Sequence, residues 1–186
     1  MEDNFNYNLI TDPKYYTNNK TTFKKKLEET IASKRVDMAC FRDKVSTNYE
    51  ELAKVFIDTC KKSNIKQIIL NENLELAIKL NCAIHLTSKQ FDKIRLAKDA
   101  KLFTIISCHD EIDIQKAIEN KADAITYSPI FDTPNKGKAK GIEVLKEVNE
   151  KYNIKIIALG GIIDDSHIEQ IETCKVYGFA SIRYFI

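Results

Sequence analysis

No run of apolar residues in this chain approaches the length a membrane span needs, so a transmembrane role is set aside. No low-complexity stretch or linker divides it, so its 186 residues read as one domain, residues 1–186, long enough to bury a real core. There is little net charge. The formal value is +2 and both signs are interspersed, which argues against a nucleic-acid-binding stripe. The five cysteines are an odd number and none form a C-x-x-C pair. Disulfide and zinc frameworks are therefore poorly supported, and free thiols in a reducing compartment are expected. The start, Met1-Glu-Asp-Asn-Phe, is acidic and polar rather than signal-peptide-like, and a cytoplasmic protein is expected.

What is present is alternation. Apolar runs of strand length recur at Tyr7–Thr11, Val36–Phe41, Lys66–Leu70, Cys82–Leu86, Leu102–Ser107, Asp123–Tyr127, Ile154–Leu159 and Val176–Ile182. Helix-period segments separate them. The segment from Thr21 to Lys34 opens on threonine caps, and Thr47-Asn-Tyr-Glu50 has capping-box spacing for a helix to about Ser63. Leu74–Leu80 and Lys89–Ala100 follow, then a helix capped by Asp110 and running to Asn120. Ile142–Tyr152 and a helix capped by Asp164 or Asp165 complete the set. Strict alternation predicts a parallel sheet, and about eight such units close into a barrel, with a doubly wound open sheet as the rival. The chain stops at Ile186, where an eighth helix would begin.

Two segments stand out. Ser128-Pro-Ile-Phe-Asp-Thr-Pro-Asn-Lys-Gly137 opens a long polar loop, and connections of that length are uncommon unless they bind or cover something. Lys136, Lys138 and Lys140 beside Thr133 and Asn135 suit an anionic ligand. Ile156-Ile-Ala-Leu-Gly-Gly-Ile162 is a buried-strand pattern ending in Gly160 and Gly161, where backbone N–H groups can approach a ligand closely. Barrels often bind phosphate between the loops after strands seven and eight. Here Arg183 would complete that cup or cap the truncated edge.

Several motifs, in order, resemble those of the thiamine-phosphate synthase/TenI family. Leu9-Ile-Thr-Asp12 resembles its first-strand motif, and Phe41-Arg-Asp-Lys44 resembles "QLREK". Leu70-Asn-Glu72 resembles "IND", Ile84-His-Leu86 "VHL", and Ser107-Cys-His109 "S-x-H". The long loop resembles "GPIFPTxTK", and Ala158-Leu-Gly-Gly-Ile162 resembles "AIGGI". The similarity spans nearly the whole chain. It implies a short (β/α)8 TIM barrel lacking the final helix, and a role in thiamine biosynthesis. The family has two chemistries. The synthase couples a hydroxymethylpyrimidine diphosphate to a thiazole phosphate, with Mg2+ helping diphosphate leave. TenI-type members include a tautomerase that aromatises a thiazole carboxylate phosphate by moving a proton, with no cofactor implied.

The resemblance also assigns residues. Arg42 and Lys44 become diphosphate or carboxylate contacts; otherwise they form a strand-end charge pair with Asp43. Asn71 and Ser107 become ligand contacts. Thr133, Asn135, Lys136, Gly160, Gly161 and Arg183 hold phosphate. His109 is the catalytic base, a residue able to exchange a proton near neutral pH. Glu72 matches a magnesium-binding aspartate, yet Thr87-Ser-Lys-Gln90 supplies no second acid before Asp92. That departure, and the short Lys136-Gly-Lys-Ala-Lys-Gly141 stretch, lean toward a TenI-like tautomerase. The synthase reaction and a non-catalytic binder of thiazole or thiamine phosphate are the alternatives. Cys40 stands where the family has glutamine and is given no role. His85 is read as a hydrogen-bonded core histidine and His167 as solvated. The expected partners are a small phosphorylated thiazole or pyrimidine and no membrane. The apolar tail Tyr184-Phe-Ile186 is read as packing on a partner chain, so a homo-oligomer is one expectation.

Overall fold

The computed structural model of the protein describes residues 5–186. The polar start through Asn4 lies outside them, and so does most of the reading based on it. Eight strands pair side by side in parallel: β1 (Asn6–Ile10), β2 (Met38–Phe41), β3 (Gln67–Asn71), β4 (Ala83–Leu86), β5 (Thr104–Cys108), β6 (Ala124–Tyr127), β7 (Lys155–Leu159) and β8 (Gly178–Ser181). β8 pairs back onto β1, with Asn6 opposite Gly178 and Leu9 opposite Ser181, so the sheet closes and the open-sheet rival falls. Among the described residues no helix is long and apolar enough to cross a membrane.

Alternation along the strands sorts side chains into two cores. Ile10, Met38, Cys40, Ile69, Ala83, Ile105, Ala124, Ile157 and Ala180 pack together in the lumen. Three of these are alanines and one a cysteine, which suits a narrow interior that side chains fill completely. The opposite faces carry Leu9, Phe41, Leu70, Ile84, Ile106, Ile125, Ile156 and Phe179, which pack against the helices. A strand covered on both faces has no polar face to show, hence the continuous apolar runs in the sequence.

The helices are α1 (Pro13–Tyr16), α2 (Lys20–Ser33), α3 (Tyr49–Lys62), α4 (Leu74–Leu80), α5 (Ile94–Asp99), α6 (Glu111–Glu119), α7 (Gly141–Lys151) and α8 (Asp165–Glu172). Asp110 and Asp164 cap α6 and α8, accepting from the N–H groups of Asp113 and His167. Two expected caps are corrected. Asn19, not a threonine, caps α2 by accepting from Thr22 N–H. α3 starts after Asn48 with no side-chain cap, so the Thr47 capping box does not form. The expected helix over Lys89–Ala100 is shorter, a 3-10 turn at Phe91–Lys93 leading into α5. Helix α1 has no counterpart in the sequence reading, because one turn is too short for periodicity to register.

After β8 the chain makes a 3-10 turn, Arg183–Phe185. Most of the tail packs on its own barrel. Phe185 is 3% exposed and stacks on Phe179, and Tyr184 meets the same ring edge-on while its hydroxyl donates to Asp165. Ile186 alone stays exposed.

Candidate active site

The carboxyl ends of all eight strands open on one side of the barrel, around a cleft of about 990 Å3. The residues that the resemblance assigned line it, from Arg42 and Lys44 round to Gly161 and Arg183, whereas the loop lysines Lys138 and Lys140 do not. Parallel pairing in register carries the residue that follows each strand to the same rim, so residues far apart in sequence meet there.

At the β1–β2 corner, Thr11 Oγ1 accepts from Arg42 N–H (2.9 Å) and donates to Arg42 C=O (3.2 Å). The Arg42 guanidinium donates to the Asp12 carboxylate at 2.6 Å, and Asp12 also caps α1 at Lys14 N–H. Arg42 therefore pairs with Asp12, not with Asp43. The Asp43 carboxylate instead accepts from the N–H groups of Val45 and Ser46, a turn within its own loop. Cys40 lies below, fully buried, and burial pushes its thiol up to about 12, so it stays protonated and inert.

At the β2–β3 corner Lys44 donates to Glu72 at 2.6 Å, across side chains that are 47% and 36% exposed. Glu72 sits in the left-handed region at φ 65°, where the chain turns from β3 into α4. The magnesium ligands of the synthase would be needed here. Magnesium takes hard oxygens, commonly one or two carboxylates plus water and phosphate. Glu72 already bears an ammonium. Gln90, placed where a second acid would help, is engaged elsewhere: its amide nitrogen donates to Glu72 C=O, and its oxygen accepts from Thr87 N–H and Oγ1. Among the described residues no group of three or more His, Cys, Asp or Glu side chains is placed to hold a metal ion. At this corner a cation would meet one carboxylate, already paired with an ammonium, and an amide in place of a second acid.

The floor of the cleft is polar. His85 Nε2 lies 3.0 Å from Ser107 Oγ and 3.2 Å from Thr126 Oγ1. Burial pushes His85 down to about 4, Glu72 pulling it partly back up and Arg42 and Lys44 adding to the depression. It is the hydrogen-bonded core histidine the sequence implied, but it also faces the cleft, and Ser107 is part of its network. Asn71 Nδ2 donates to His85 C=O.

His109 stands exposed past β5. Its N–H donates to Asp113, and Lys140 Nζ donates to its carbonyl. Its Nδ1 lies 3.3 Å from Ser128 C=O and 3.4 Å from Ser128 Oγ. A carbonyl only accepts, so that contact needs the proton on Nδ1 and leaves the basic lone pair on Nε2, whereas the Ser128 hydroxyl can donate to Nδ1 in the other tautomer.

The long loop after β6 is pinned at its base, where Lys140 N–H donates to Pro129 C=O and Gly141 N–H to Ile130 C=O. It also docks on β7: Ile130 N–H donates to Leu159 C=O and Phe131 N–H to Gly160 C=O. Gly160 (φ 100°) and Gly161 (φ 74°) permit that docking. A Cβ on Gly160 would stand 2.8 Å from Pro129, and one on Gly161 2.6 Å from Phe131. The free space that the sequence reading gave to a ligand is thus taken on the Cβ side by the protein's own loop. Thr133 Oγ1 donates to Phe131 C=O and lies beside Gly160. His167 is corrected as well. It pairs with Asp164 at 2.7 Å and its ring meets Phe131 edge-on, so it braces this loop.

Sequence reasoning missed Asp12, Lys14 and Tyr15, which also line the cleft. Asp12 was visible inside the Leu9–Asp12 motif, but only the fold places it against Arg42.

The family model described as thiamine monophosphate synthase matches residues 7–185. A curated relative from Aquifex aeolicus (strain VF5), named as a putative thiamine-phosphate synthase 2, is 34% identical over 186 residues and covers 95% of each chain. The thiamine-phosphate synthase of Clostridium tetani is 29% identical over 165 residues, 86% of this chain and 78% of its own. The solved thiamine phosphate pyrophosphorylase from Pyrococcus furiosus superposes with a TM-score of 0.82 at 18% identity, covering 97% of this chain and 86% of that one.

Proposed function

The chain belongs to the thiamine monophosphate synthase (TMP-TENI) family, and from that premise we propose that it is a TenI-like thiazole tautomerase. The observation that carries this reading is the β3–β4 corner. Gln90 stands there in place of an acid, and both ends of its amide are engaged by Thr87 and Glu72. A synthase needs help for departing diphosphate; a proton shift needs a base and a held substrate. His109 supplies the base through Nε2, with Nδ1 held at Ser128. Arg42 or Lys44 holds the substrate carboxylate, Arg42 offering the planar fork that suits it. The glycine pair, Thr133, Asn135 and Lys136 hold the phosphate, and Arg183 closes that side as a clamp.

The synthase reaction is the second reading, favoured by the names of the curated relatives. One pair of assays separates the two. On a thiazole carboxylate phosphate, solvent proton exchange followed by NMR is expected for the wild type. It is expected to fall by roughly 10²-fold or more in His109→Ala while calorimetry still detects the ligand. Coupling of the pyrimidine diphosphate to thiazole phosphate is expected to be negligible with magnesium present. Rapid coupling, or exchange unchanged in His109→Ala, overturns the proposal.

A further inference from the structure

We infer that Glu72 is the counter-ion that holds Lys44 ready for a phosphate- or carboxylate-bearing ligand, and that anion binding in this cleft does not pass through a divalent metal at Glu72. The inference rests on the reading that the cleft takes a phosphorylated ligand, and not on which reaction follows.

The pair is direct, 2.6 Å from Lys44 Nζ to Glu72 Oε1, and both residues line the cleft. A metal at Glu72 would have to displace an ammonium already there, and the other cation of this rim, Arg42, already holds Asp12. From Gln90 it would gain only an amide whose oxygen is occupied. A lysine ammonium, by contrast, is a compact point charge on a flexible stem. It can turn from Glu72 to an incoming anion without rebuilding the loop. Glu72 then acts as a competitor for Lys44: it keeps the ammonium in place while the cleft is empty and releases it when an anion arrives. The pair is half exposed, so the competition is modest, in the range measured for exposed ion pairs.

The two views of Glu72 differ in the sign of one substitution. Inorganic pyrophosphate binding is measured by calorimetry on the full chain, with magnesium and with a chelator, for wild type, Glu72→Gln, Lys44→Met and the double variant. The wild type is expected to bind with the chelator present, and magnesium is expected not to tighten it. Glu72→Gln is expected to bind about two- to fivefold tighter, the strength of an exposed pair. Lys44→Met is expected to bind more weakly, and in that background Glu72→Gln is expected to add little. Glu72→Gln is isosteric, and thermal melts of all four proteins confirm folding. The inference is overturned if the wild type binds no pyrophosphate, or if magnesium tightens binding and Glu72→Gln removes that gain. It is equally overturned if Glu72→Gln weakens or does not change binding, or if its tightening persists in full without Lys44. Loss of proton exchange at His109 would leave this pattern untouched, so failure of the proposed reaction and failure of this inference are told apart.

Discussion

Replacing Gly161 with alanine tests whether the glycine pair exists to seat the long loop. Two costs add at this position. Gly161 has φ 74°, and an L-residue in the left-handed region loses about 1–2 kcal/mol relative to glycine. The new Cβ would also stand 2.6 Å from the backbone carbon and Cβ of Phe131 and 2.7 Å from its carbonyl oxygen. Backbone cannot swing away as a flexible side chain does, and overpacking of this kind costs about 1–3 kcal/mol. The sum is about 2–5 kcal/mol. At about 3 °C per kcal/mol for a domain of this size, the melting temperature should fall by roughly 6–15 °C. Gly137→Ala is the internal control. It lies in the same loop with nothing within 4 Å of an added methyl and no left-handed φ, so a change under about 0.5 kcal/mol is expected. Urea and thermal unfolding of both variants measure the contrast. A Gly161→Ala loss below about 1 kcal/mol, or one equal to that of Gly137→Ala, would refute the argument that Phe131 occupies the Cβ space.

Two further outcomes follow from the floor of the cleft and from a helix end. His85 titrates near 4 in the folded chain against 6.5 for the free side chain, so between those values the unfolded chain holds the extra proton. Stability from this source is complete above about pH 6.5 and declines as pH falls toward 4, by about 3 kcal/mol in all. Urea titrations at pH 7 and pH 4.5 should show a smaller acid loss in His85→Gln than in the wild type, and equal losses would remove His85 as the cause. Lys121 follows α6 at φ 62°, a position that glycine occupies at less cost. Lys121→Gly should raise stability by up to about 1 kcal/mol, net of the added freedom of the unfolded chain, and a lowered melting temperature would count against the strain.

The barrel was legible because eight buried strands leave eight apolar runs, and helices between them leave their own period. Most boundaries moved by a residue or two, the start of α5 by more, and caps were read correctly where an aspartate stood directly before a helix, as at Asp110 and Asp164. They were misread at Thr47, because a capping pattern states a local preference and the chain around Asn48 adopts another geometry. The membership of the site was legible through the motifs, each sitting at a strand end. The pairings inside it were not. Arg42 was read as a ligand contact, with a charge pair to its neighbour Asp43 as the alternative; that alternative falls, because Asp43 turns back on its own loop and Asp12 arrives from the preceding strand. Adjacent residues at a strand end point apart, while residues on neighbouring strands share a rim.

By itself the sequence determined that the strand ends, and most of the residues that follow them, would gather at one mouth, since parallel strands in order can deliver their ends nowhere else. It also determined the groups at the β3 and β4 ends, an acid at Glu72 and an amide at Gln90, and the histidine past β5. Only the tertiary structure decided what those groups do to one another. It set Lys44 on Glu72, turned His109 Nδ1 to Ser128, and laid the loop over the glycine pair. It folded the tail back on Phe179 as well. These contacts join residues from different strands over a few ångströms, and such distances arise from closure of the sheet, a property no single segment carries.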